Sequence, residues 1–266
     1  MATPLRLLIL GAGQRGQVYA SYAAAFPEEA VVVGVAEPRQ AHLDALATAH
    51  GVPTERCFRD WSDALELPRF ADAVVVATPD DQHTAPTLAA AERGYAILLE
   101  KPMAQTPAEC RQICAAVERA GVLLAVCHVL RYTASTRALE ALLEAEAIGQ
   151  IVGIQRLEPV GWWHFAHSYV RGNWRRTADC GPLLLTKACH DVDWLRHIAG
   201  VPAESVAATG GLHHFRPEHQ PEGATPRCLD CPVDPRDRID AVSRLQAAGQ
   251  LGPMARERAL EELLDR

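Results

Sequence analysis

Short, largely apolar runs alternate with longer amphipathic stretches through the first half of the chain. The apolar runs occupy residues 5–10, 31–36, 73–77, 96–99 and 123–127, and the amphipathic stretches include residues 41–50, 84–93 and 106–120. Runs that are apolar at every position, and not only at every second one, are typical of strands buried on both faces of a sheet. Because strands and helices alternate, the pattern predicts an α/β fold built on a doubly wound parallel sheet with right-handed crossovers.

The first apolar run leads directly into a glycine-rich turn that opens a helical pattern. Its Gly-x-Gly-x-x-Gly spacing fits the phosphate-binding turn of a Rossmann domain, where side chains would block the tight turn and the approach of a pyrophosphate. The following helix N-terminus adds amide donors and a partial positive charge. The predicted cofactor-binding residues of this turn are Gly11, Gly13, Gln14, Arg15 and Gly16.

An acidic residue follows the second apolar run, about twenty residues beyond the glycine turn. Glu37 lies where a carboxylate accepts hydrogen bonds from the adenosine ribose hydroxyls, and its charge repels the 2′-phosphate of NADP. Arg39, two residues later, can pair with a phosphate and weaken that discrimination. We expect NAD as the cofactor, with NADP as the alternative.

The apolar run at residues 73–77 ends in a second polar turn. Ligands of open α/β sheets lie beyond the carboxyl ends of the strands, so this turn is predicted to line the cofactor. The alternative is a plain Pro-Asp turn followed by a helix cap. The residues concerned are Thr78, Pro79, Asp80 and His83.

Charge and hydropathy limit the kinds of partner. The net charge of −7 argues against a nucleic-acid or anionic-membrane surface. No apolar run reaches the ~18–20 residues needed to cross a bilayer, and the N-terminal run stops at Gly11, short of a signal-peptide core. We therefore expect a cytoplasmic protein with reduced cysteines and a small-molecule ligand.

The pattern changes at about residue 128, where a mixed α+β region begins. Helices are predicted over residues 133–147 and 182–198, strands over residues 151–160 and 205–213, and an aromatic and basic loop over residues 162–176. The predicted organisation is a dinucleotide-binding domain at residues 1–127, an abbreviated substrate domain at residues 128–233 and a helical tail at residues 234–266.

The run at residues 96–99 is followed by Glu100, Lys101 and Pro102. A lysine at the carboxyl end of a strand can hydrogen-bond a substrate hydroxyl and stabilise the alkoxide formed as hydride leaves. The alternative is a surface lysine paired with Glu100. With the glycine turn and His190, this Glu-Lys-Pro sequence resembles the glucose–fructose oxidoreductase, inositol dehydrogenase and MocA (Gfo/Idh/MocA) family, over residue 5 to about residue 233.

The resemblance implies hydride transfer between NAD(P) and a sugar, cyclitol or related polyol. It implies that Lys101 is catalytic, that the Lys101–Pro102 bond is cis, and that Glu100 and His128 border the cofactor. It also implies substrate contacts from Arg131, Trp174 and Arg175, although Arg131 can equally brace a domain interface and the aromatic loop can belong to interface core.

His190 lies on the predicted helix over residues 182–198. Members of the family typically carry an aspartate one helical turn earlier, where this chain has Thr186. The proton acceptor is then His190, whose ordinary pKa suits neutral pH, or a lysine such as Lys187 with a pKa lowered by burial. The structural alternative is a histidine satisfied by Asp191 or Asp193.

The C-terminal part departs from the family. Members are usually considerably longer and contain further strands of the substrate-domain sheet. A sheet without those strands has an open edge that is liable to association, so we expect a homo-oligomer. Cys228 and Cys231 form a single CxxC with irregularly spaced upstream histidines, which favours a loop over a zinc site, and we expect no metal. The shortened domain and Thr186 leave a non-catalytic nucleotide-binding protein open, as well as an NAD-dependent glycosidase of the same family.

Overall fold

The computed structural model describes residues 3–172, 174–220 and 222–225, which fall into two compact units. The first unit contains the residues up to 157 together with residues 176–202. The second contains the described residues between 158 and 175 and between 203 and 225. The sequence pattern instead placed a boundary after residue 127; the structure groups residues 128–157 and 176–202 with the preceding domain.

A six-stranded sheet forms the centre of the first unit. Its strands are β1 (Leu5–Leu10), β2 (Ala30–Ala36), β3 (Cys57–Phe58), β4 (Ala73–Val76), β5 (Ala96–Leu99) and β6 (Leu124–Val126). They lie in the order β3-β2-β1-β4-β5-β6, and every neighbouring pair is parallel. The predicted doubly wound parallel sheet is confirmed.

Helices connect and cover these strands. The α-helices of the first unit are α1 (Gln14–Ala25), α2 (Gln40–His50), α3 (Trp61–Glu66), α4 (Thr84–Glu92), α5 (Pro107–Ala120) and α6 (Ala134–Glu144). The second unit contributes α7 (Trp162–Phe165) and a π-helix (Ala166–Arg171), and the chain returns to the first unit with α8 (Thr177–Cys180), α9 (Leu183–Thr186) and α10 (Cys189–Ala199). Single 3₁₀ turns lie at Thr54–Arg56, Asp80–Gln82, Val129–Tyr132 and Pro217–His219. In the part of the chain that the structure describes, no helix is long and apolar enough to span a bilayer.

Both faces of the sheet are buried, which explains why its strands are apolar throughout. On β1, Leu8 and Leu10 pack in one cluster with helices α3, α4 and α5, while Leu7 and Ile9 pack in the other with α1 and α2. Leu8, Ile9 and Leu10 are completely buried. Full burial of such a side chain stabilises a fold by about 1.5–3 kcal/mol, so these short strands anchor the whole unit.

The strand order places a topological switch point between β1 and β4. The chain winds outward from β1 through β2 to β3, and then returns to β4 beside β1 before winding the other way. Loops at the carboxyl ends of β1 and β4 therefore leave toward opposite faces and open a crevice, which is where open α/β sheets bind their ligands.

Four predictions beyond the sheet are wrong. The stretch at residues 162–176 was predicted to be a loop, but it contains α7 and a π-helix. Residues 151–160 and 205–213 contain no strand, and Val152 and Leu157 are 100% and 84% exposed; a strand needs a hydrogen-bonding neighbour, and within the described ranges these segments have none. The helix predicted over residues 182–198 is broken into α9 and α10 at Lys187 and Ala188. The pattern also missed β3 and α3, which are too short to give a clear period.

Candidate active site

The carboxyl edge of the sheet collects most of the residues predicted to carry function. The glycine turn follows β1, Glu37 follows β2, Thr78 follows β4, Lys101 follows β5, and His128 follows β6 by two residues. Because all these strands are parallel, their carboxyl ends share one edge. A ligand lying across the switch point meets each of these loops.

The glycine turn tolerates no side chain at two of its positions. Gly11 has φ of +92°, and a Cβ there would lie 2.5 Å from the Ala77 carbonyl oxygen. A Cβ on Gly16 would lie 1.9 Å from the Gly11 carbonyl oxygen. The missing side chains let α1 begin directly against the sheet, with Gly13 as its N-cap. The first-turn amides of a helix lack intrahelical acceptors, so this turn fits a dinucleotide pyrophosphate.

Glu37 is buried, and its carboxylate is saturated by hydrogen bonds. Its Oε2 accepts from the Ala12 amide at 2.8 Å and from Arg39 Nη2 at 3.2 Å, and its Oε1 accepts from the Arg39 amide at 3.0 Å and from Arg39 Nε at 2.8 Å. Burial alone would raise the pKa of Glu37, but the bonds from Arg39 and Ala12 hold it below its usual value. Four bonds fill the acceptor sites of a carboxylate, so a ribose diol must displace Arg39.

Arg39 is well placed for such a displacement. Its side chain is 56% exposed, and its guanidinium lies close to the glycine turn, 3.4 Å from the position of a Cβ on Gly13. Arg39 thus covers the region between the phosphate turn and the ribose acceptor, where a 2′-phosphate would lie.

His83 has a different place from the one predicted. Its ring is only 1% exposed and lies between two backbone carbonyls, with Nδ1 2.7 Å from the Pro102 oxygen and Nε2 3.0 Å from the Thr78 oxygen. The ring therefore ties the turn after β4 to the turn after β5 instead of facing a ligand. Nearer the edge, Thr78 Oγ1 donates to the Gln82 carbonyl, while Asp80 begins a 3₁₀ turn with Pro79 before it.

Lys101 is held by a carbonyl of another segment. The Lys101–Pro102 peptide bond is cis, as the family resemblance implies. Lys101 Nζ donates to the Thr186 carbonyl oxygen at 2.7 Å, and within the described part of the chain its ammonium makes no ion pair. The alternative of a surface lysine paired with Glu100 is thus wrong. An ammonium has three donors, so two remain for a substrate oxygen.

Glu100, which was predicted to border the cofactor, points its side chain inward. Its side chain is 6% exposed and its Oε1 accepts from Arg15 Nε at 2.5 Å and from the Tyr19 hydroxyl at 2.6 Å. Its Oε2 accepts from the Lys101 amide at 2.9 Å. The Arg15 side chain, predicted to contact the cofactor, is directed to this carboxylate; its backbone amide stays in the first turn of α1.

Two histidine rings lie next to each other near the carboxyl end of β6. The rings of His128 and His190 are edge-to-face with centroids 6.0 Å apart. The Nδ1 atoms of both are buried and, among the described residues, have no hydrogen-bond partner. Such orphaned polar atoms are costly in a folded protein unless a ligand or water satisfies them.

The acids flanking His190 do not satisfy it. Asp191 accepts from Arg156 Nε at 2.6 Å, and Asp193 accepts from Nε and Nη2 of Arg131. Burial, followed by the charges of Lys101, His128 and Lys187, lowers the pKa of His190 to about 4. His190 is therefore neutral at physiological pH and can accept a proton.

His128 is a second neutral imidazole in the same place. Burial is the main cause that lowers its pKa; the charge of Asp193, whose Oδ1 lies 3.9 Å from His128 Nε2, partly opposes this effect. Two uncharged imidazoles therefore lie beside the Lys101 ammonium. This arrangement offers one cationic donor and one neutral acceptor to a hydroxyl group.

The remaining predicted site residues lie in several different elements of the two units. Arg131 braces the 3₁₀ turn Val129–Tyr132 against α10 through Asp193, and both residues lie in the first unit, so this contact is not a brace between domains. Lys187 forms the C-cap of α9, near enough to His190 to lower its pKa. Trp174 and Arg175 belong to the second unit, where Trp174 packs near Tyr169 with ring centroids 6.3 Å apart. Cys228 and Cys231 lie outside the described residues.

Sequence reasoning missed Tyr19 and the Thr186 carbonyl. Tyr19 lies one helical turn after Arg15 on α1, and this spacing is a signal that could have linked both side chains to one partner. No sequence signal distinguishes a backbone carbonyl that accepts a lysine bond, since every residue carries one.

The fold and the glycine turn together define a Rossmann domain of the dinucleotide-binding type. Residues 5–128 match the family described as "Oxidoreductase family, NAD-binding Rossmann fold" (GFO_IDH_MocA). This match identifies the N-terminal half as a member of the Gfo/Idh/MocA family and confirms the resemblance found in the sequence.

Individual relatives agree with this assignment. The chain is 30% identical over 210 residues to D-glucoside 3-dehydrogenase of Escherichia coli, a match covering 76% of this chain and 56% of that protein. It is 25% identical over 212 residues to scyllo-inositol 2-dehydrogenase (NAD(+)) of Bacillus subtilis, covering 80% and 59%. The chain therefore spans a little over half the length of these relatives.

A solved structure shares the fold. The structure of scyllo-inositol dehydrogenase from Lactobacillus casei with bound NAD(H) and scyllo-inositol superposes with a TM-score of 0.63 at 22% identity. The match covers 74% of this chain and 56% of the other. At this identity the likeness concerns the fold alone.

Proposed function

We propose that this protein is an NAD-dependent oxidoreductase that transfers hydride between the cofactor and a CH–OH group of a sugar, cyclitol or related polyol. The observation that carries the proposal is that Lys101, at the edge of the sheet that holds the glycine turn, bonds the Thr186 carbonyl and lies close enough to His190 for its charge to lower the pKa of His190. The names of the relatives, a D-glucoside dehydrogenase and a scyllo-inositol dehydrogenase, support the substrate class.

The residues of the chain divide the chemistry between them. When NAD is bound, its nicotinamide supplies the hydride acceptor. Lys101 directs its remaining N–H donors at the substrate hydroxyl and stabilises negative charge that develops on the oxygen. His190, a neutral imidazole, takes the hydroxyl proton. The Thr186 carbonyl fixes the lysine so that its direction is set before substrate arrives.

A second candidate follows from Thr186. Its side chain is 1% exposed and cannot act as the carboxylate that family members carry there, which favours a nucleotide-binding protein without turnover. The two candidates differ in hydride transfer and agree in NAD binding. Oligomerisation with itself and a cytoplasmic location remain part of the proposal.

Cofactor binding and hydride transfer can be tested separately on the whole chain. We expect NADH titration, followed by nucleotide fluorescence, to give saturable binding, and NADH to form when NAD is mixed with a panel of inositols and glucosides. Binding without NADH formation across the panel would favour the non-catalytic candidate. Release of a sugar with no net NADH would instead identify the glycoside-cleaving chemistry of the family.

Cofactor choice depends on the pairing of Glu37 with Arg39. We expect Arg39→Gln to weaken NADPH binding roughly tenfold, since the phosphate loses its cation, and to leave or improve NADH binding because Glu37 is released for the ribose. Glu37→Gln should change the NADH-to-NADPH preference in the opposite direction by removing the repelling charge.

Fluorescence titration of each variant with both reduced nucleotides measures this preference. Arg59→Gln is a matched control because Arg59 is an exposed arginine whose Nη1 bonds the Gln40 side chain. If each variant changes its affinity for NADH and for NADPH by the same factor, Glu37 and Arg39 do not determine which cofactor is preferred.

A further inference from the structure

A partly buried polar cluster links the phosphate-binding helix to the proposed catalytic lysine. Arg15 Nη2 donates to the Tyr19 hydroxyl at 2.8 Å, and both side chains bond Glu100 Oε1, at 2.5 and 2.6 Å. The second oxygen of Glu100 accepts from the backbone amide of Lys101 at 2.9 Å. One carboxylate therefore connects the first turns of α1 with the turn after β5.

The cluster is charged and well satisfied. Burial would raise the pKa of Glu100, but the hydrogen bonds from Tyr19 and Arg15 lower it, so Glu100 stays ionised at neutral pH. Burial and contact with Cys127 and Glu100 raise the pKa of Tyr19, which keeps its hydroxyl protonated as a donor. A buried carboxylate with three directed donors has little freedom to rotate.

The cluster lies between the proposed phosphate-binding turn and Lys101. Arg15 belongs to the first turn of α1, where the pyrophosphate is expected, and Lys101 follows Glu100 directly. A displacement of Glu100 would move the Lys101 backbone through their hydrogen bond. The Lys101 ammonium is fixed at its other end by the Thr186 carbonyl, so a backbone shift changes its direction.

We propose that Tyr19 and Arg15 are positioning residues that act through Glu100 to set the direction of the Lys101 ammonium. The phosphate-binding turn and the lysine then form one rigid unit. This inference rests on the proposed function only where it concerns turnover; the placement of Lys101 is a separate claim that needs no substrate.

The substitution Tyr19→Phe removes one hydroxyl from the cluster and keeps the ring. We expect kcat to fall about ten- to a hundredfold, the range for a slight misplacement of a reacting group, with little change in the KM for NAD. In a Lys101→Met background the same substitution should have no further effect on kcat. Tyr22→Phe is the matched control, since Tyr22 lies on the same helix, is 47% exposed and bonds Glu29.

A second measurement requires neither substrate nor cofactor. The chain contains only two lysines, Lys101 and Lys187, so selective ¹³C labelling of lysine gives two Cε signals in the spectrum. We expect Tyr19→Phe and Arg15→Met to shift the Lys101 signal, and Tyr22→Phe to leave it unchanged. The Lys187 signal serves as an internal reference for each variant.

The outcomes separate this inference from the proposed function. If wild-type protein forms no NADH but Tyr19→Phe shifts the Lys101 signal, the positioning claim stands and the oxidoreductase proposal fails. If Tyr19→Phe lowers Tm while the Lys101 signal stays in place, the cluster is structural only and the inference is overturned. An equal loss of kcat in Tyr22→Phe would overturn it as well.

Discussion

Replacing Lys101 by methionine should lower the rate of hydride transfer roughly 10²- to 10³-fold while leaving NAD affinity within about threefold. Methionine keeps an unbranched stem of similar length and removes the ammonium. The loss equals the range found when one preorganised donor is taken from a developing oxyanion. It should appear in kcat, because the charge that Lys101 stabilises exists mainly in the transition state.

The geometry explains why the effect should be so large. The only side-chain bond of Lys101 among the described residues goes to a neutral carbonyl, so its positive charge is not cancelled by a nearby carboxylate. Glu100 is the acid closest to Lys101 in sequence, and its carboxylate oxygens accept hydrogen bonds from Arg15, Tyr19 and the Lys101 backbone amide. A charge held in place without a counterion interacts strongly with an oxygen that becomes negative.

Single-turnover formation of NADH separates this effect from product release, and NADH titration gives the affinity. Arg69→Met is a suitable control, because Arg69 is exposed and donates to the Gly94 carbonyl at the opposite edge of the sheet. If Lys101→Met and Arg69→Met transfer hydride at equal rates, Lys101 has no part in the reaction.

The sheet could be predicted because its signal is local and repeated. Leu8, Ile9 and Leu10 are all fully buried, as expected when both faces of a strand are covered, and the glycine turn follows at once. The requirement for glycine at positions 11 and 16 is likewise a property of backbone geometry that sequence spacing records. Position along the chain was therefore enough to predict the glycine turn and its place after β1.

The substrate end could not be predicted to the same depth. That Asp191 and Asp193 turn to Arg156 and Arg131 instead of His190 depends on contacts between segments that are 35 and 62 residues apart. Periodicity carries no information about such pairs. The break between α9 and α10 is also invisible in the pattern, since no proline or glycine marks it.

Residues 151–160 show how context overrides local preference. Their β-branched and apolar residues favour a strand, yet Val152 is 100% exposed. β-propensity describes how well a side chain packs on a half-buried sheet surface. Among the described residues no strand pairs with this segment, so its side chains gain no such packing.

Replacing His190 by asparagine should lower the rate of alcohol oxidation at pH 7 by about 10²- to 10⁴-fold, the usual contribution of a general base. Asparagine keeps a polar side chain but accepts no proton. The residual rate should rise with pH, because hydroxide then replaces the missing base. His50→Asn is the control, since His50 ends α2 on the other edge of the sheet.

The wild-type pH profile should carry the signature of the same residue. Because the pKa of His190 is lowered to about 4, the neutral form prevails above that pH and oxidation should lose rate only as the pH falls through about 4. The reverse reaction needs the protonated imidazole as its acid. Reduction should therefore become faster as the pH falls from 7 toward 4.

Removing the charge of a neighbouring lysine tests why the pKa of His190 is low. Burial is the largest contribution to the low pKa of His190, and the ammonium groups of Lys101 and Lys187 add to it. Lys187→Met should therefore raise the pKa of His190 and move the acidic limb of oxidation to higher pH. Steady-state rates from pH 4 to pH 8, with ¹⁵N NMR titration of the histidines, measure both. An acidic limb at the ordinary value of 6.5 that does not move in Lys187→Met would mean that another group accepts the proton.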